Sequence, residues 1–428
     1  MQFTTAQSLT IAIDSEVLPG GEAGGVEQVL IGLVHALGRL NDGPEQYIII
    51  GPNQQPNWLA PYLGPNQRIV AGPPIPVRFR RTKRVLGPLA PTARQLWRAG
   101  RRLMDRLPAN TGPTVPVSKG FYETLGADLI HFPHQRFVHC RLPSVYNPHD
   151  LQHLHYPEFF LPEAVEWREA VYPAGCRLAT TVVVASQWVK NDVVKRYSIS
   201  PDRVEVIPWA PGTPLYDDVS EESVQHVAKE YDLQQPFALY PAATWQHKNH
   251  IGLLGAIAFL RDQADVRIQL VCTGHQNTFW PRIRARLHAL ALEPQVRFLG
   301  VVPGSSLRAL YRLAQFVVLP TLFEGWGFPL FEAFAEGTPV ACSAVTALPE
   351  HAGDAALLFD PTSTESIAQA IRRLATDEDL RTALICKGRE RIRLFSWERT
   401  AKTYRALYRH VACRQLSAED LQLLSDGA

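Results

Sequence analysis

Residues 315–336 read QFVVLPTLFEGWGFPLFEAFAE. The run QFVVLP predicts a strand, and Gly325 and Gly327 then allow a tight loop whose backbone can come close to a ligand. Pro329 suits the first position of a helix. A strand, a glycine loop and a helix start would place free backbone N–H groups and the positive end of a helix at the carboxyl edge of a parallel sheet. This arrangement favours the binding of an anion.

The same alternation of strand and helix patterns extends over almost the whole chain and predicts parallel βαβ units, an α/β fold. From Val26 to Leu37, apolar residues recur with the period of an α-helix. The runs that predict strands are 9–14, 47–51, 128–132, 143–147, 180–186, 204–208, 237–242, 267–273, 296–300, 315–320, 339–343 and 355–360.

The length of 428 residues indicates two or three domains, at about 150 residues per domain. The alternation is interrupted at 208–236, where Pro, Gly and acidic residues cluster, so we expect a linker there. We predict a Rossmann-like domain at 1–207 and a second one at 237–395, followed at 396–428 by a helix that crosses back and a tail. Two such domains would face each other across a central cleft at the carboxyl ends of two parallel sheets.

An insertion at 52–107 does not fit this pattern. Pro52–Pro91 contains nine prolines, which predicts irregular structure. Thr92–Leu107 then has an apolar and an Arg-rich face, and 78–106 carries ten Lys or Arg against one acid. Two interpretations are about equal. The segment 78–106 either rests on anionic lipid headgroups, as a peripheral membrane contact, or packs its apolar face on the domain and leaves its arginines in water.

The composition excludes several classes of protein. With 46% hydrophobic and 20% charged residues, the chain is not disordered, and a net charge of +2 gives no overall attraction for nucleic acid. The six cysteines form no C-x-x-C pair, which argues against a zinc knuckle or a disulfide scaffold, and there is no apolar run of 18 residues. We expect a cytoplasmic protein, at most peripheral at the inner face of the membrane.

Three side chains near the predicted cleft could carry chemistry. Glu324 and Glu332 flank the glycine loop and could reach different ends of an elongated ligand. Lys248 follows the strand at 237–242, and an ammonium group there could bind an anionic group in the same cleft. A lone lysine near a helix start is about as often simply solvated, but its place after the first strand of the second domain favours the functional interpretation.

His149 lies after the carboxyl end of the strand at 143–147, where an imidazole could hydrogen-bond a ligand or exchange a proton with it. Gly24 and Gly25 open the first predicted helix and could approach phosphate or acceptor, although a tight strand-to-helix connection needs the same residues. Six histidines fall within a stretch of 25 residues, at positions 131, 134, 139, 149, 153 and 155. Their spacing does not match that of a metal site.

Several motifs together resemble the family 4 retaining glycosyltransferases (glycosyl transferases group 1), which have the GT-B fold of two facing Rossmann-like domains. They are Gly24-Gly25-Val26-Glu27, His149-Asp150-Leu151, Lys248-Asn249, the Glu pair of 324–332, and Phe395-Ser-Trp397-Glu at the start of the last helix. The resemblance implies that the C-terminal domain holds a nucleotide sugar donor, while a glycan or lipid-linked acceptor faces the N-terminal domain.

The resemblance also implies individual roles. Glu324 would contact hydroxyls of the donor sugar and Glu332 the nucleotide ribose, while the backbone amides around Gly327 and Phe328 would meet the diphosphate or the sugar. Lys248 would neutralise charge on the departing diphosphate, and His149 would hydrogen-bond the transferred sugar and help to place the acceptor hydroxyl. Many relatives carry Arg five residues before the lysine, whereas this chain has Ala243. The aromatic and His residues before Lys-Asn are similar to a mannosyltransferase-like subgroup that uses GDP-mannose.

No metal ion or other cofactor is expected. Asp377-Glu-Asp379 matches the letters of a metal-binding D-x-D motif, but it lies between helical segments where acids are typical caps. The predicted activity is retaining transfer of a hexose, with mannose favoured, from a nucleotide diphosphate sugar to an acceptor hydroxyl. The alternatives are a GT-B-fold sugar nucleotide epimerase and a catalytically weak sugar-nucleotide-binding protein.

Overall fold

The computed structural model describes residues 8–19, 24–73, 114–212 and 219–426. Its strands form two separate parallel sheets. In chain order they are β1 (Leu9–Asp14), β2 (Glu45–Gly51), β3 (Gln67–Ala71), β4 (Leu129–Phe132), β5 (Ser144–Tyr146), β6 (Thr181–Val184), β7 (Val204–Val206), β8 (Phe237–Pro241), β9 (Gln269–Thr273), β10 (Val296–Phe298), β11 (Phe316–Leu319), β12 (Val340–Ser343) and β13 (Ala356–Phe359). Each run that the sequence predicts as a strand overlaps one of them.

The helices lie between these strands and after the last one. They are α1 (Gly25–Leu37), α2 (Gln152–His155), α3 (Pro162–Leu178), α4 (Gln187–Tyr197), α5 (Glu221–Glu230), α6 (His250–Ala264), α7 (Trp280–Ala289), α8 (Gly304–Leu313), α9 (Phe328–Glu336), α10 (Leu348–Ala352), α11 (Thr364–Thr376), α12 (Glu378–Ile392), α13 (Trp397–Val411) and α14 (Ala418–Ser425). The predicted apolar face of α1 is confirmed, since Val29, Leu33 and Leu37 are fully buried.

The first sheet has the order β3-β2-β1-β4-β5-β6-β7, and the second has the order β10-β9-β8-β11-β12-β13. All neighbours are parallel; Ile13 pairs with Ile49 on one side and His131 on the other, and Leu239 lies between Val271 and Val317. In both sheets the chain starts in the middle, builds outward to one side and then returns to build the other side. This is the doubly wound Rossmann arrangement, so the predicted fold class is confirmed.

We call the part up to 212 the N-terminal lobe and 219–392 the C-terminal lobe. Helix α13 returns to the N-terminal lobe and packs on α1, where a β-carbon built on Gly32 would lie 2.2 Å from the Trp397 ring. The absence of a side chain at Gly32 therefore lets the indole lie directly on α1. This contact holds the end of the chain on the lobe where the chain began.

The expectation of purely irregular structure from Pro52 to Pro91 is wrong in two respects. Pro56–Tyr62 forms a short 3-10 helix. Residues 67–71 form β3, which pairs with β2 at the edge of the first sheet. The stretch 66–72 has no proline, so its backbone can donate hydrogen bonds to a neighbouring strand. The predicted Arg-rich helix Thr92–Leu107 and the rest of 78–106 lie outside the described residues.

The segment predicted as a linker also contains regular structure. Residues 221–230 form α5, and Val224 and Val227 are buried in the core of the C-terminal lobe. Trp209 lies between β7 and α5 in the chain and is buried in a second core, which includes residues of both lobes. The connection between the lobes is therefore packed at both of its described ends.

That second core joins the lobes. Trp326 and Phe328 of the C-terminal lobe pack with Trp209 and with the apolar faces of α1 and α13. The rings of Trp209 and Phe328 are stacked, with centroids 6.1 Å apart and planes within 5°. Because these rings are removed from water at the boundary, apolar burial stabilises a closed arrangement of the two lobes.

Candidate functional site

A pocket opens at the point where the order of the second sheet reverses. The chain leaves the neighbouring strands β8 and β11 on opposite sides, which is where ligands bind in open α/β sheets. The pocket encloses about 240 Å³, counting the open space at its mouth. Its described lining residues are Tyr240, Ala242, Lys248, Leu319, Thr321, Glu324, Gly327, Pro329 and Leu348.

Lys248 and Glu324, both predicted as site residues, meet in this pocket. The Lys248 ammonium donates a hydrogen bond to Glu324 Oε1, and their side chains are 18% and 16% exposed. The two residues come from the loops after β8 and β11, so the pairing of these strands brings them together. Among the described residues that line the pocket, Lys248 is the only cation, and Ala243 adds none.

The residue after Lys248 is Asn249, and its backbone conformation and hydrogen bonds favour an asparagine at this position. Its φ of 57° lies in the left-handed region, which Asn tolerates better than most residues. Its side chain accepts a hydrogen bond from the Gly252 N–H and donates to the carbonyls of Pro320 and Pro361. Asn249 therefore caps α6 and ties the Lys248 loop to the loop after β11.

The glycine loop has the geometry that its sequence predicts. Gly327, with a φ of 93°, is the residue before α9. The helix begins at Phe328, one residue earlier than expected, and Pro329 takes its second position. Thr346 fixes Glu324 by accepting from its N–H at 3.0 Å and donating to its carbonyl at 2.8 Å.

The two lobes bring two helix starts together. A β-carbon built on Gly25, the first residue of α1, would lie 3.1 Å from the ring of Phe328, the first residue of α9. Gly24 precedes α1 with a φ of 53°, and a β-carbon there would meet open space. Because each helix start carries a partial positive charge, an anion between them would interact favourably with both.

His149 lies beyond the carboxyl end of β5, as predicted, and is 8% exposed. Its Nε2 lies 2.8 Å from the carbonyl oxygen of Pro133. A carbonyl only accepts, so Nε2 carries the proton and Nδ1 keeps the lone pair. Burial lowers the pKa of His149 to about 4. The ring is therefore neutral at physiological pH and could only accept a hydrogen bond through Nδ1.

Glu332 does not line the Lys248 pocket. Its side chain is 3% exposed and accepts hydrogen bonds from Tyr311 Oη at 2.7 Å and from Gln28 Nε2 at 3.3 Å. Gln28 belongs to α1, so this contact crosses between the lobes. Burial raises the pKa of Glu332, although both hydrogen bonds oppose that shift. In the closed arrangement the carboxylate is thus bound within the protein, and its predicted contact with ribose stays a prediction.

The sequence interpretation assigned no chemistry to Asp150, which the structure places against the glycine loop. A β-carbon built on Gly325 would lie 2.9 Å from Asp150 Cβ and 3.1 Å from its Oδ2. Lys248 and Glu324 are close enough to shift the pKa of Asp150 in opposite directions. Its position directly after His149, at the same strand end, was the signal that could have identified it.

The other predicted features have structural partners. Asp377 caps α12 by accepting from the Leu380 N–H at 2.9 Å, so the D-x-D letters mark a helix start, as expected. The clustered histidines at 131, 134, 153 and 155 bond separately to Asn147, Asp14, Glu169 and Asp192. Within the described residues, no group of three or more His, Cys, Asp or Glu side chains could hold a metal ion.

Comparison with known families agrees with this geometry. A model of glycosyltransferase family 4 matches residues 23–210, and a model of glycosyl transferases group 1 matches residues 222–391. The chain belongs to glycosyltransferase family 4. The two matches cover the two lobes in turn, so each lobe of this family 4 glycosyltransferase carries its own family signature.

Curated relatives are similar at modest identity. The chain is 28% identical to O-antigen chain mannosyltransferase B of Escherichia coli over 275 residues, 63% of this chain and 71% of that protein. It is 29% identical to D-inositol 3-phosphate glycosyltransferase of Corynebacterium glutamicum over 239 residues, 54% of this chain and 57% of that protein. It is 26% identical to the serotype-specific mannosyltransferase WbdA of Escherichia coli over 71% of this chain, but only 38% of that protein.

Solved structures share the fold. Sucrose-phosphate synthase from Thermosynechococcus elongatus superposes with a TM-score of 0.66 at 22% identity, covering 95% of this chain and 99% of that one. WaaG, a glycosyltransferase involved in lipopolysaccharide biosynthesis, gives 0.60 at 15% identity over 93% and 99%. The family 4 glycosyltransferase therefore has the predicted GT-B architecture. None of its described helices is both long and apolar enough to cross a membrane.

Proposed function

We propose that this family 4 glycosyltransferase transfers a hexose, with mannose favoured, from a nucleotide diphosphate sugar to a hydroxyl of a glycan or lipid-linked acceptor, with retention at the anomeric carbon. One observation carries the proposal. The Lys248 ammonium lies beside the Glu324 carboxylate in a pocket that also contains Gly327 and Pro329 at the start of α9. A cation and a helix start bind a diphosphate, and a carboxylate binds sugar hydroxyls.

The diphosphate would lie between Lys248 and the start of α9, near Gly24 and Gly25. As the bond to the sugar breaks, negative charge grows on the diphosphate, and the ammonium and the backbone N–H groups stabilise it. Glu324, fixed by Thr346, would hold the sugar hydroxyls, and His149 would accept a hydrogen bond from the sugar on the other side. Glu332 would reach the ribose once its contact with Gln28 is released.

The transfer is proposed to need no metal ion or other cofactor, since these residues can bear the charge of the leaving group. The Arg expected at position 243 is absent, so Lys248 and the two helix starts carry that charge. Two relatives that match this chain are named mannosyltransferases, which supports mannose as the sugar. The epimerase and the catalytically weak binding protein are not favoured by these comparisons.

The donor can be identified by thermal unfolding with a panel of nucleotide diphosphate sugars, because a ligand that binds only the folded state raises the melting temperature. GDP-mannose is expected to give the largest increase, ahead of GDP, UDP-glucose and ADP-glucose. Product formation is then measured with mannose-terminated glycosides in the presence of EDTA. A chain that no nucleotide sugar stabilises, or that converts donor to an epimer without any acceptor, would contradict the proposal.

A further inference from the structure

Asp150 projects from the N-terminal lobe toward the ion pair of the C-terminal lobe. It follows His149, and a β-carbon built on Gly325, the residue after Glu324, would lie 2.9 Å from Asp150 Cβ and 3.1 Å from its Oδ2. Oδ1 accepts a hydrogen bond from the Gln152 N–H at 3.1 Å. Oδ2 accepts none from the described part of the chain. One oxygen of this carboxylate is thus committed to the protein, while the other is available to a ligand.

The charged and titratable groups around Asp150 come from three elements. Lys248 and Glu324 face it from the C-terminal lobe, and Arg168 and Tyr172 face it from α3. Burial raises the pKa of Asp150, and Glu324 adds to the shift, while the Gln152 N–H, Arg168 and Lys248 oppose it. A carboxylate with a raised pKa accepts a proton more readily than an ordinary aspartate does.

We propose that Asp150 is the general base of the transfer, a role that rests on the proposed function. The acceptor hydroxyl would donate its hydrogen bond to Oδ2. As the bond between the anomeric carbon and the diphosphate oxygen breaks, its electron pair leaves with the diphosphate. The hydroxyl oxygen bonds to the anomeric carbon and its proton moves to Oδ2, from which it passes to water. The diphosphate gains one negative charge, and the released proton balances it.

The other two candidates for this role are less suitable. The Glu324 carboxylate is occupied by the Lys248 ammonium. The His149 ring already donates through Nε2 to the Pro133 carbonyl, and its Nδ1 is the proposed acceptor of a hydrogen bond from the sugar. Asp150 belongs to the N-terminal lobe, and Lys248, the proposed partner of the leaving group, lies near enough on the C-terminal lobe to lower the pKa of Asp150. In the proposal, a hydroxyl held by Asp150 approaches the sugar from the side of the departing diphosphate, which retention requires.

Asp150 also has a structural role, and the experiment must distinguish it from general-base catalysis. The bond from the Gln152 N–H to Oδ1 stabilises the start of the short helix α2. Asp150→Asn keeps an oxygen that can accept this bond, but an amide cannot take up a proton at neutral pH. Asp377→Asn is the matched control, because Oδ1 of Asp377 also accepts a hydrogen bond from a backbone N–H at a helix start, and Asp377 lies in a different region, at the start of α12.

For Asp150→Asn we expect an unchanged increase in melting temperature with GDP-mannose and a kcat lower by about 10² to 10⁴, the usual contribution of a general base. Asp377→Asn should keep the unaltered kcat. The kcat of the unaltered protein should also fall at acidic pH as Asp150 becomes protonated, and this fall should be absent from the Asn variant.

Three results would overturn the assignment. They are a kcat of Asp150→Asn within threefold of the unaltered protein, a loss of stabilisation by the donor that matches the loss of kcat, and a fall of kcat in acid that is the same in the Asn variant as in the unaltered protein. If the unaltered protein forms no product with any donor, the proposed function itself fails. If it forms product and only the Asp150 results disagree, the assignment of Asp150 alone is wrong.

Discussion

Glu350 accepts a hydrogen bond of 2.8 Å from the backbone N–H of Gln187, and these two residues belong to opposite lobes. The second oxygen of the same carboxylate accepts from the Trp188 N–H at 3.0 Å. Gln187 and Trp188 are the first residues of α4, whose first N–H groups have no partner within the helix. A carboxylate at that position also interacts favourably with the helix dipole, so Glu350 links the two lobes.

Replacing Glu350 by Ala should shift the protein toward an open arrangement. The contact is exposed, so its loss should cost only about 1 kcal/mol, which corresponds to roughly a fivefold change in the balance of open and closed forms. We expect a larger radius of gyration in solution scattering and a higher KM for the donor. Glu378→Ala, in the exposed first turn of α12, serves as the control. An unchanged radius and KM would show that Glu350 does not hold the lobes together.

Replacing Lys248 by Ala should lower transfer by about 10² to 10³, the usual effect of losing a group that stabilises developing negative charge. The fold should persist, because the Lys248 side chain lines a pocket and does not belong to either core. Circular dichroism and the rate of product formation test both statements. Lys387→Ala removes a surface ion pair with Asp354 and should change neither. Normal turnover of the Lys248 variant would exclude the ammonium from the mechanism.

Gly325→Ala should impair transfer for a steric reason. The new β-carbon would lie 2.9 Å from Asp150 Cβ and 3.3 Å from the His149 carbonyl, so the lobes must separate or these residues must move. Gly255→Ala, within α6, would meet nothing closer than 3.8 Å and should stabilise the protein by about 0.5–1 kcal/mol. Initial rates and urea unfolding of both variants test this contrast. Full activity of Gly325→Ala would mean that the lobes need not approach so closely.

The alternation of apolar runs was sufficient to predict the two sheets because each strand is short, buried and rich in β-branched residues. It failed at β3, whose residues are largely half-exposed and lie among prolines. It also missed α5, whose buried stripe is only Val224 and Val227 in a mostly polar segment. Elements that bury little apolar surface leave a weak periodic signal.

The candidate site was predictable in part, because residues at the carboxyl ends of parallel strands must gather at one edge. Lys248 and Glu324 follow this rule. The rule does not extend to Glu332, because its partner Gln28 lies 304 positions away in the sequence. Such contacts depend on how the two lobes meet, and no local pattern records this. The closeness of Asp150 to Gly325 is another such contact, because the two residues lie on opposite lobes.

Buried histidines should make the protein less stable in acid. Burial lowers the pKa to about 3 for His131, His250 and His351, and to about 4 for His149 and His153. In the unfolded chain their pKa is about 6.5. Between these values the unfolded chain binds more protons than the folded one, so the free energy of unfolding decreases as the pH falls below 6.5. Each histidine contributes up to about 1.4 kcal/mol per pH unit.

His351 allows this to be tested with one substitution. Its Nδ1–H donates to the Trp326 carbonyl at 2.6 Å, and an Asn amide could replace that donor without titrating. His351→Asn should be less stable than the unaltered protein at pH 8, because it leaves a cavity. In urea unfolding between pH 6.5 and 4.5, however, its stability should fall less steeply, by about 1.4 kcal/mol per pH unit. His288→Gln, at an exposed position, should leave the slope almost unchanged. Equal slopes for all three proteins would mean that His351 gains its proton without unfolding.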